Sequence, residues 1–258
     1  MENICLETTE NRSVMLQCML EFSESLLIFG AEVSRVEDSL RRIGTAYGIE
    51  KTDIFVITEN ILITNLYSDG SMLSGSRRIS STASYDFEKI EKLNSLSREI
   101  CKNPIEPKEL LKRVKIIKYA DQLPIYRYLG NFIVAFGFAL YYGGSIIDAI
   151  VSGIVGLFIA LMQRKVQQFC PNGVTFSLIT SFACGLIICT ITKITNLSRA
   201  MIMIGDIMPL IPGTAITLSL RDILVGDTIS GILKLIESLL IAASIAAGFM
   251  MAIMLIGV

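Results

Sequence analysis

The sequence contains no histidine, and this absence removes several kinds of chemistry at once. Without imidazole there is no Ser-His-Asp or Cys-His catalysis, no histidine-ligated zinc site and no histidine proton relay. Any proton that moves through the protein must therefore use carboxylates. A serine-lysine dyad is the remaining route to a hydrolase, and no spaced pair in the chain supports one. The sequence thus predicts a protein that is not an enzyme and needs no metal and no cofactor.

Positive charge is not in excess either, because 23 Lys and Arg residues oppose 24 Asp and Glu residues. A nucleic-acid-binding surface needs such an excess, so nucleic acid is not an expected partner. The six cysteines include no Cys-x-x-Cys pair, which fits a reducing cytosolic setting. Residues 1–11 have no long apolar core, so a cleavable signal peptide is not expected. No ATP-binding signature is present, which weakens the hypothesis of a pump.

The charges that are present divide the chain into two parts near residue 128. Residues 1–128 carry 17 of the 23 basic and 19 of the 24 acidic residues. The remaining residues are apolar over long stretches. We therefore predict a soluble α+β domain over residues 1–124, followed over residues 125–258 by the transmembrane domain of an α-helical integral membrane protein.

The N-terminal domain is predicted to have the element order α-α-β-β-β-α-α. Apolar residues at steps of three and four favour two helices that end at Gly30 and Gly48, and Glu21 and Glu24 fall between the apolar positions of the first. Branched and aromatic residues favour three strands, of which the last two form a hairpin. The predicted strands are residues 53–58, 61–67 and 72–79, and the two later helices are residues 85–101 and a segment that starts at Pro107.

Five apolar stretches approach the roughly 20 residues that a transmembrane helix needs. They lie at about 128–143, 145–163, 173–192, 200–220 and 234–257. With the N-terminal domain inside, the basic residues next to these stretches are five on the cytoplasmic side and two outside, which is a modest positive-inside bias. The expected location is the cytoplasmic membrane of the cell, with the N-terminal domain in the cytoplasm and the lipid bilayer as a partner.

The fourth stretch is interrupted by the segment GDIMPLIPG at residues 205–213. Pro209 and Pro212 each remove a backbone donor, so a helix through them must break, and lipid does not tolerate unpaired backbone. Such a break survives where it lines a cavity, as in transporters that build a substrate site from half-helices. A half-helix starting near Gly213 would present its positive end to a substrate carboxylate. Asp206 is our first candidate for the proton or cation carrier, since an ionised group at mid-bilayer costs roughly 2.5 to 3.5 kcal/mol.

Other charged residues allow both a functional and a structural interpretation. Further candidates for substrate or ion binding are Asp148, Arg221, Asp222 and Asp227. Arg221 would hold a second substrate carboxylate, which slightly favours dicarboxylates. The alternative is that Arg221–Asp222 and Lys234–Glu237 are interfacial anchors. In the soluble domain the motif residues are Glu32, Arg35, Glu37 and Asp38, and the alternative for them is a solvated helix face with i,i+3 ion pairs.

Both halves of the chain resemble the threonine/serine exporter family. The N-terminal motif is GAEVSRVED at residues 30–38, followed by the strand-rich residues 54–78. The membrane motifs are GGSIID at 143–148, PLIPG at 209–213, RDILVGD at 221–227 and SG at 230–231. They occur in the same order as in the family, and the double-proline motif followed by Arg-Asp and Gly-Asp is fairly specific.

The resemblance implies a function, a substrate class and a partner. Full-length members have about twice as many spans as this chain, so the chain resembles the large component of a split exporter, with a small second membrane subunit that carries the remaining spans. A homo-oligomer is the alternative. The expected function is secondary export of threonine and serine, or of dicarboxylates such as succinate. The rival hypothesis is a membrane-anchored regulatory or scaffolding protein whose cytoplasmic domain binds a ligand or partner.

Overall fold

The computed structural model describes residues 8–57, 60–79, 85–120, 124–170 and 172–256. The chain forms two compact units. The first unit combines Met1–Ala120 with Thr217–Lys234, and the second combines Asp121–Ile216 with Leu235–Val258. The segment 217–234, which the sequence analysis assigns to the transmembrane domain, therefore packs with the N-terminal residues.

The N-terminal part of the first unit forms helices and an antiparallel sheet in the order α-α-β-β-β-α-α, and the segment 217–234 adds parts of two further helices. Its elements are α1 (Thr9–Ile28), α2 (Val33–Ala46), β1 (Lys51–Ile57), β2 (Asn60–Leu66), β3 (Met72–Arg78), α3 (Phe87–Lys102) and α4 (Pro107–Tyr119). The sheet order is β1-β2-β3, with Ile63 opposite both Ile54 and Gly75. Thr58, the predicted last residue of the first strand, lies outside the described residues.

Helix α1 lies in the core of the first unit and is buried around most of its circumference. The sequence pattern indicates one apolar stripe with Glu21 facing away from it, and this interpretation is wrong, because Glu21 is only 5% exposed. Its carboxylate pairs with Arg77 of β3 and with Lys118 of α4, whose Nζ lies 2.7 Å away. Glu24 pairs with the same two cations at 2.8 and 2.9 Å. Long-range ion pairs therefore allow this face of α1 to be buried as well.

This cluster predicts an acid-sensitive first unit. Burial raises the pKa of Glu21, but hydrogen bonds from Lys118 and Arg77 outweigh burial, so the pKa lies below its usual value. The stabilisation is therefore complete above the unfolded pKa of about 4.3 and is lost as pH falls through the folded pKa. We expect Glu21→Gln to cost about 1–3 kcal/mol at neutral pH and to flatten the acid dependence. Thermal unfolding of the detergent-solubilised chain between pH 3 and 7 measures this, with the exposed Glu91→Gln as control. Equal acid dependence in wild type and Glu21→Gln would contradict it.

The regular elements of the second unit are all helices within its described residues. Its elements are α5 (Pro124–Tyr141), α6 (Ile146–Lys165), the 3-10 turn Gln167–Phe169, α7 (Gly173–Ile194) and α8 (Arg199–Ile207), with parts of α9 (Gly213–Val225) and α10 (Thr228–Ile256). Among the described residues, α6, α7 and α10 are long and apolar enough to cross a membrane. By this measure three of the five predicted spans are supported, and the other two stay predictions.

The break predicted in the fourth apolar stretch is present, since α8 ends at Ile207 and α9 begins at Gly213. Between them the carbonyl of Ile207 accepts from the amides of Leu210 and Ile211 at 2.9 and 3.0 Å. Pro209 and Pro212 have no N–H, so the carbonyls four residues before each lack their usual helical donor. Two short helices of 9 and 13 residues therefore replace one continuous span.

Candidate functional site

Asp206 is the central residue of the candidate site in the second unit. It lies in the last turn of α8, immediately before the break, and it is 0% exposed. Its Oδ2 has no hydrogen-bond partner among the described residues, and no ion pair to it is formed within them. A carboxylate buried without a counter-charge is costly, so this position is poorly explained by packing alone.

The other oxygen of Asp206 lies near Ser152, whose hydroxyl is also within reach of a backbone carbonyl oxygen. Ser152 of α6 lies with its Oγ 3.4 Å from Asp206 Oδ1 and 3.1 Å from the carbonyl oxygen of Ala135 in α5. A hydroxyl has one proton to donate but can also accept. With Asp206 ionised, only one of these two acceptors receives a hydrogen bond from the Ser152 hydroxyl. With Asp206 protonated, the acid donates to Ser152 and Ser152 donates to Ala135, so both contacts are satisfied.

Helix α7 contributes a polar stripe to the same interior. Cys184 is buried and lies within electrostatic range of Asp206. Thr180, one turn earlier on the same face, is 0% exposed, and its Oγ1 has no hydrogen-bond partner within the described residues. Ser177 and Ser181 are also buried on this stripe. This buried face of α7 is therefore more polar than the packing of an apolar helix requires.

Gly205 allows α8 to approach α5 and α6 closely. A Cβ at this position would lie against Ser152 Oγ, 2.6 Å from the carbonyl oxygen of Ala135 and 3.0 Å from the Cβ of Ala139. Two of these neighbours belong to the α5 helix and cannot move independently. The absence of a side chain at Gly205 thus brings Asp206 within reach of Ser152.

Gly205→Ala is expected to lower stability by about 1–3 kcal/mol, because overpacking forces α8 away from its neighbours. The matched control is Gly137→Ala in α5, where a Cβ would meet nothing within 4 Å and helix propensity favours alanine. Thermal unfolding of both variants in detergent compares them directly. A Tm for Gly205→Ala at or above that of Gly137→Ala would show that α8 packs differently.

Asp148 has a structural explanation in the hydrogen bonds it makes. It is the third residue of α6 and forms a capping box with Ser145, whose amide and hydroxyl donate to Asp148 Oδ2 at 2.9 and 2.8 Å. Its Oδ1 accepts from the amide of Ser198, the residue before α8, at 2.9 Å. Both oxygens are therefore used to cap α6 and to fix the start of α8.

The first unit brings the soluble-domain motif and the Arg-Asp motif together. Arg221 Nη1 of α9 lies 2.7 Å from Glu32 Oε1, at the residue that precedes α2. The other carboxylate oxygen of Glu32 lies 3.5 Å from Arg35 Nε, which is the expected i,i+3 pair. The Arg221 guanidinium is thus already bound to a carboxylate of the protein. A further motif acid, Asp38, pairs with Arg42 at 2.7 Å on an exposed face.

The turn between α9 and α10 is braced by a second ion pair. Asp222 is 2% exposed, and its Oδ2 lies 2.7 Å from Lys234 Nζ of α10. Gly226 has a φ of +108°, a conformation that favours glycine, and the amide of Asp227 donates to the carbonyl of Asp222 at 2.9 Å. The motif RDILVGD therefore builds a tight helical hairpin.

Glu37 and Asp227 place like charges near each other in the first unit. Burial raises the pKa of the Glu37 carboxyl, Arg41 lowers it at a distance of 3.3 Å, and Asp227 raises it further. The net pKa of the Glu37 carboxyl lies above the usual value.

Within the described residues no group of acidic or cysteine side chains is arranged to hold a metal ion.

Sequence reasoning missed Ser152, which contacts Asp206, and the buried polar residues Thr180 and Cys184 of α7. The available signal was their spacing. Ser152 follows Asp148 by one turn, and α7 carries small polar residues at positions 177, 180, 181 and 184, all on one helical face. Such a stripe within an apolar span marks a polar interior.

The comparisons with known proteins give a family for the chain. The family model described as "putative threonine/serine exporter" matches residues 17–256, which is nearly the whole chain. In the same comparisons, no curated protein and no solved structure matches the chain.

Proposed function

Because this chain belongs to the threonine/serine exporter family, we propose that it is the membrane subunit of a secondary exporter for small carboxylate-bearing metabolites. The observation that carries this proposal is the buried carboxylate of Asp206, which lacks a counter-charge in the described residues and lies one residue before the end of α8. A half-helix end next to a buried acid provides both a binding position and a titratable group.

Threonine and serine are the favoured substrates, and dicarboxylates are second. A dicarboxylate needs two cationic partners, and Arg221 is the residue that the sequence offers for the second carboxylate. That guanidinium lies 2.7 Å from Glu32 and would have to leave it. An amino acid needs instead one group for its ammonium, and the single carboxylate of Asp206 is suited to this.

The mechanism follows from the fact that one carboxylate can hold a proton or a substrate ammonium, but not both. In the ionised form Asp206 pairs with the ammonium of threonine. When a proton arrives from the far side, Asp206 becomes neutral, donates to Ser152 Oγ at the observed 3.4 Å separation, and releases the substrate. Competition at one group therefore couples outward amino-acid movement to inward proton movement.

The test is transport in inside-out membrane vesicles from cells that express the chain together with the small second membrane subunit proposed below. An acidic lumen should drive accumulation of labelled threonine and serine, and labelled succinate should accumulate more slowly. Vesicles from cells with the empty vector are the control. Uptake equal to that of the control would reject the exporter function and favour a regulatory or scaffolding protein.

We also propose that the N-terminal domain is cytoplasmic and that the location is the cytoplasmic membrane. The positive-inside bias supports this orientation. The segment 217–234 supports it as well, because this segment packs within the first unit and contains both Arg221 and Lys234. The α9–α10 turn is then on the cytoplasmic side.

A small second membrane subunit is the proposed partner, with a second copy of this chain as the alternative. The support is the family resemblance together with the interrupted backbone at residues 208–212, which lipid cannot satisfy. We expect the purified chain in liposomes to show little threonine flux, and the added small subunit to restore it. Full flux from this chain alone would contradict the two-component proposal and favour a homo-oligomer.

A further inference from the structure

We propose that the ion pair between Glu32 and Arg221 is a latch through which the N-terminal domain holds α9, and that this latch opens in each transport cycle. The hairpin that it holds is the segment 217–234, which contains the later part of α9 and the start of α10. The inference rests on the proposed function and deepens it, since it assigns the N-terminal domain a role in transport.

The carboxylate of Glu32 binds the hairpin and does not cap its own helix. Glu32 is the N-cap of α2, a position whose side chain commonly accepts from a backbone amide of the first turn, but it makes no such bond. Its Oε1 lies instead 2.7 Å from Arg221 Nη1, and its side chain is 12% exposed. Helix α2 therefore does not need this contact for its own end, and the contact joins the N-terminal domain to α9.

The hairpin is tied together by contacts of its own. Asp222, the residue after Arg221, is 2% exposed and lies 2.7 Å from Lys234 Nζ, which connects α9 to α10. The two helices also pack closely at Gly231, where a Cβ would lie 2.7 Å from the carbonyl oxygen of Ser219. Because of these contacts, an ion pair at Arg221 holds the whole hairpin and not one side chain alone.

Helix α9 connects this hairpin to the break that follows Asp206. It is one continuous helix from Gly213 to Val225, so Arg221 lies about 12 Å along the same helix from Gly213. Hinges in proteins are usually short segments at the ends of regular elements, and the segment 208–212 between α8 and α9 is of this kind. Holding Arg221 therefore limits the movement of α9 about the break.

The latch has to open if the site is to take up and release a substrate. With the latch closed, Asp206 is 0% exposed. A carrier opens its site to each side of the membrane in turn, so the closed arrangement must change during transport. The ion pair suits this reversible role, because the Arg221 side chain is 51% exposed and exposed pairs shift an equilibrium by only up to about fivefold.

The first experiment closes the latch chemically. In a chain whose six native cysteines are replaced by alanine, Glu32→Cys and Arg221→Cys are bridged with a flexible bifunctional thiol reagent. Threonine uptake is then measured in inside-out vesicles that also contain the small subunit. We expect bridging to lower the rate at least about tenfold, whereas each single variant treated with the same reagent keeps its rate. Unchanged transport by the fully bridged double variant would overturn the inference.

The second experiment opens the latch. Glu32→Gln and Arg221→Gln should each raise the rate about two- to fivefold, because opening no longer breaks an ion pair. The two effects should not add, and the charge exchange Glu32→Arg with Arg221→Glu should restore the wild-type rate. The controls are Glu88→Gln and Lys92→Gln, which break an exposed ion pair of α3 and should leave the rate unchanged. Loss of transport in Arg221→Gln alone would make Arg221 a substrate ligand and reject the latch.

Spin labels report on the latch without any transport. Thr45 of α2 and Thr228 of α10 are exposed, so cysteines at these positions can carry labels in the cysteine-free chain in detergent. In Glu32→Gln we expect the population with a longer distance between the labels to grow about two- to fivefold. An identical distance distribution in the two chains would overturn the inference even where transport is normal. If wild-type vesicles move no threonine, the proposed function fails, and these distances decide whether Glu32 holds the hairpin.

Discussion

Asp206→Asn is expected to abolish gradient-driven threonine export while the chain still inserts and accumulates normally. Asparagine has nearly the same volume as aspartate, so the fit of α8 against Ser152 and Ala135 is retained. It can neither ionise to pair with an ammonium nor release a proton. We therefore expect loss of at least two orders of magnitude in the transport rate, which is the order expected when an essential acid–base group is lost.

The measurement is labelled threonine uptake into inside-out vesicles, with and without an acidic lumen. The matched control is Glu88→Gln, which makes the same acid-to-amide change at an exposed residue paired with Lys92. Threonine exchange without a gradient should fail too, because the same carboxylate holds the substrate. Gradient-dependent uptake at the normal rate in Asp206→Asn would remove Asp206 from the mechanism.

Replacing both Pro209 and Pro212 with alanine is expected to stabilise the protein while it destroys transport. Restored amides would donate to the carbonyls that now lack their usual helical donor, and α8 would continue into α9 as one helix. Regular hydrogen bonding in the bilayer should raise the Tm by a few degrees. The site would then lose the half-helix end beside Asp206.

Thermal unfolding and vesicle transport measured on the same double variant test this prediction. Pro107→Ala, at the first position of α4, changes a proline that interrupts no helix and should leave transport unchanged. Full transport by the double variant would show that the prolines serve packing alone.

Features governed by local chemistry could be predicted from the sequence. Pro209 and Pro212 break a helix wherever they occur, so the interruption between Ile207 and Gly213 followed directly from them. The Ser68–Ser71 turn and the branched residues beside it similarly predicted the β2–β3 hairpin. In both cases the structure depends on neighbours in sequence.

Features governed by distant partners could not be predicted. The sequence pattern predicts that Glu21 is a surface residue, because its partner Lys118 lies 97 positions away in the chain. Only the fold brings the two side chains within 2.7 Å. The sequence likewise suggests that the Arg221 guanidinium is available to a substrate, and only the structure shows its ion pair with Glu32. Thr180 gives no signal alone, since only the structure reveals that its hydroxyl lacks the usual backbone bond.

The number of membrane-spanning helices also could not be predicted from the apolar pattern alone. Apolar composition alone suggests five crossings, but length is measured along continuous helices. The break divides one stretch into α8 and α9, and α5 has 18 residues with Arg127 near its start. Only three described helices then satisfy both length and composition.

The most direct test of a substrate route past Asp206 uses Cys184, a buried native thiol of α7 that belongs to one apolar cluster with Ile202 and Met203 of α8. In a variant with the other five cysteines replaced by alanine, Cys184 is labelled in vesicles with a small water-soluble thiol reagent during transport. The account predicts that this buried thiol is labelled when the carrier is active and that saturating threonine slows the labelling, with Cys184→Ser as the blank. A carrier that transports threonine while Cys184 stays unlabelled, or is labelled at a rate indifferent to threonine, would contradict a route through this interior.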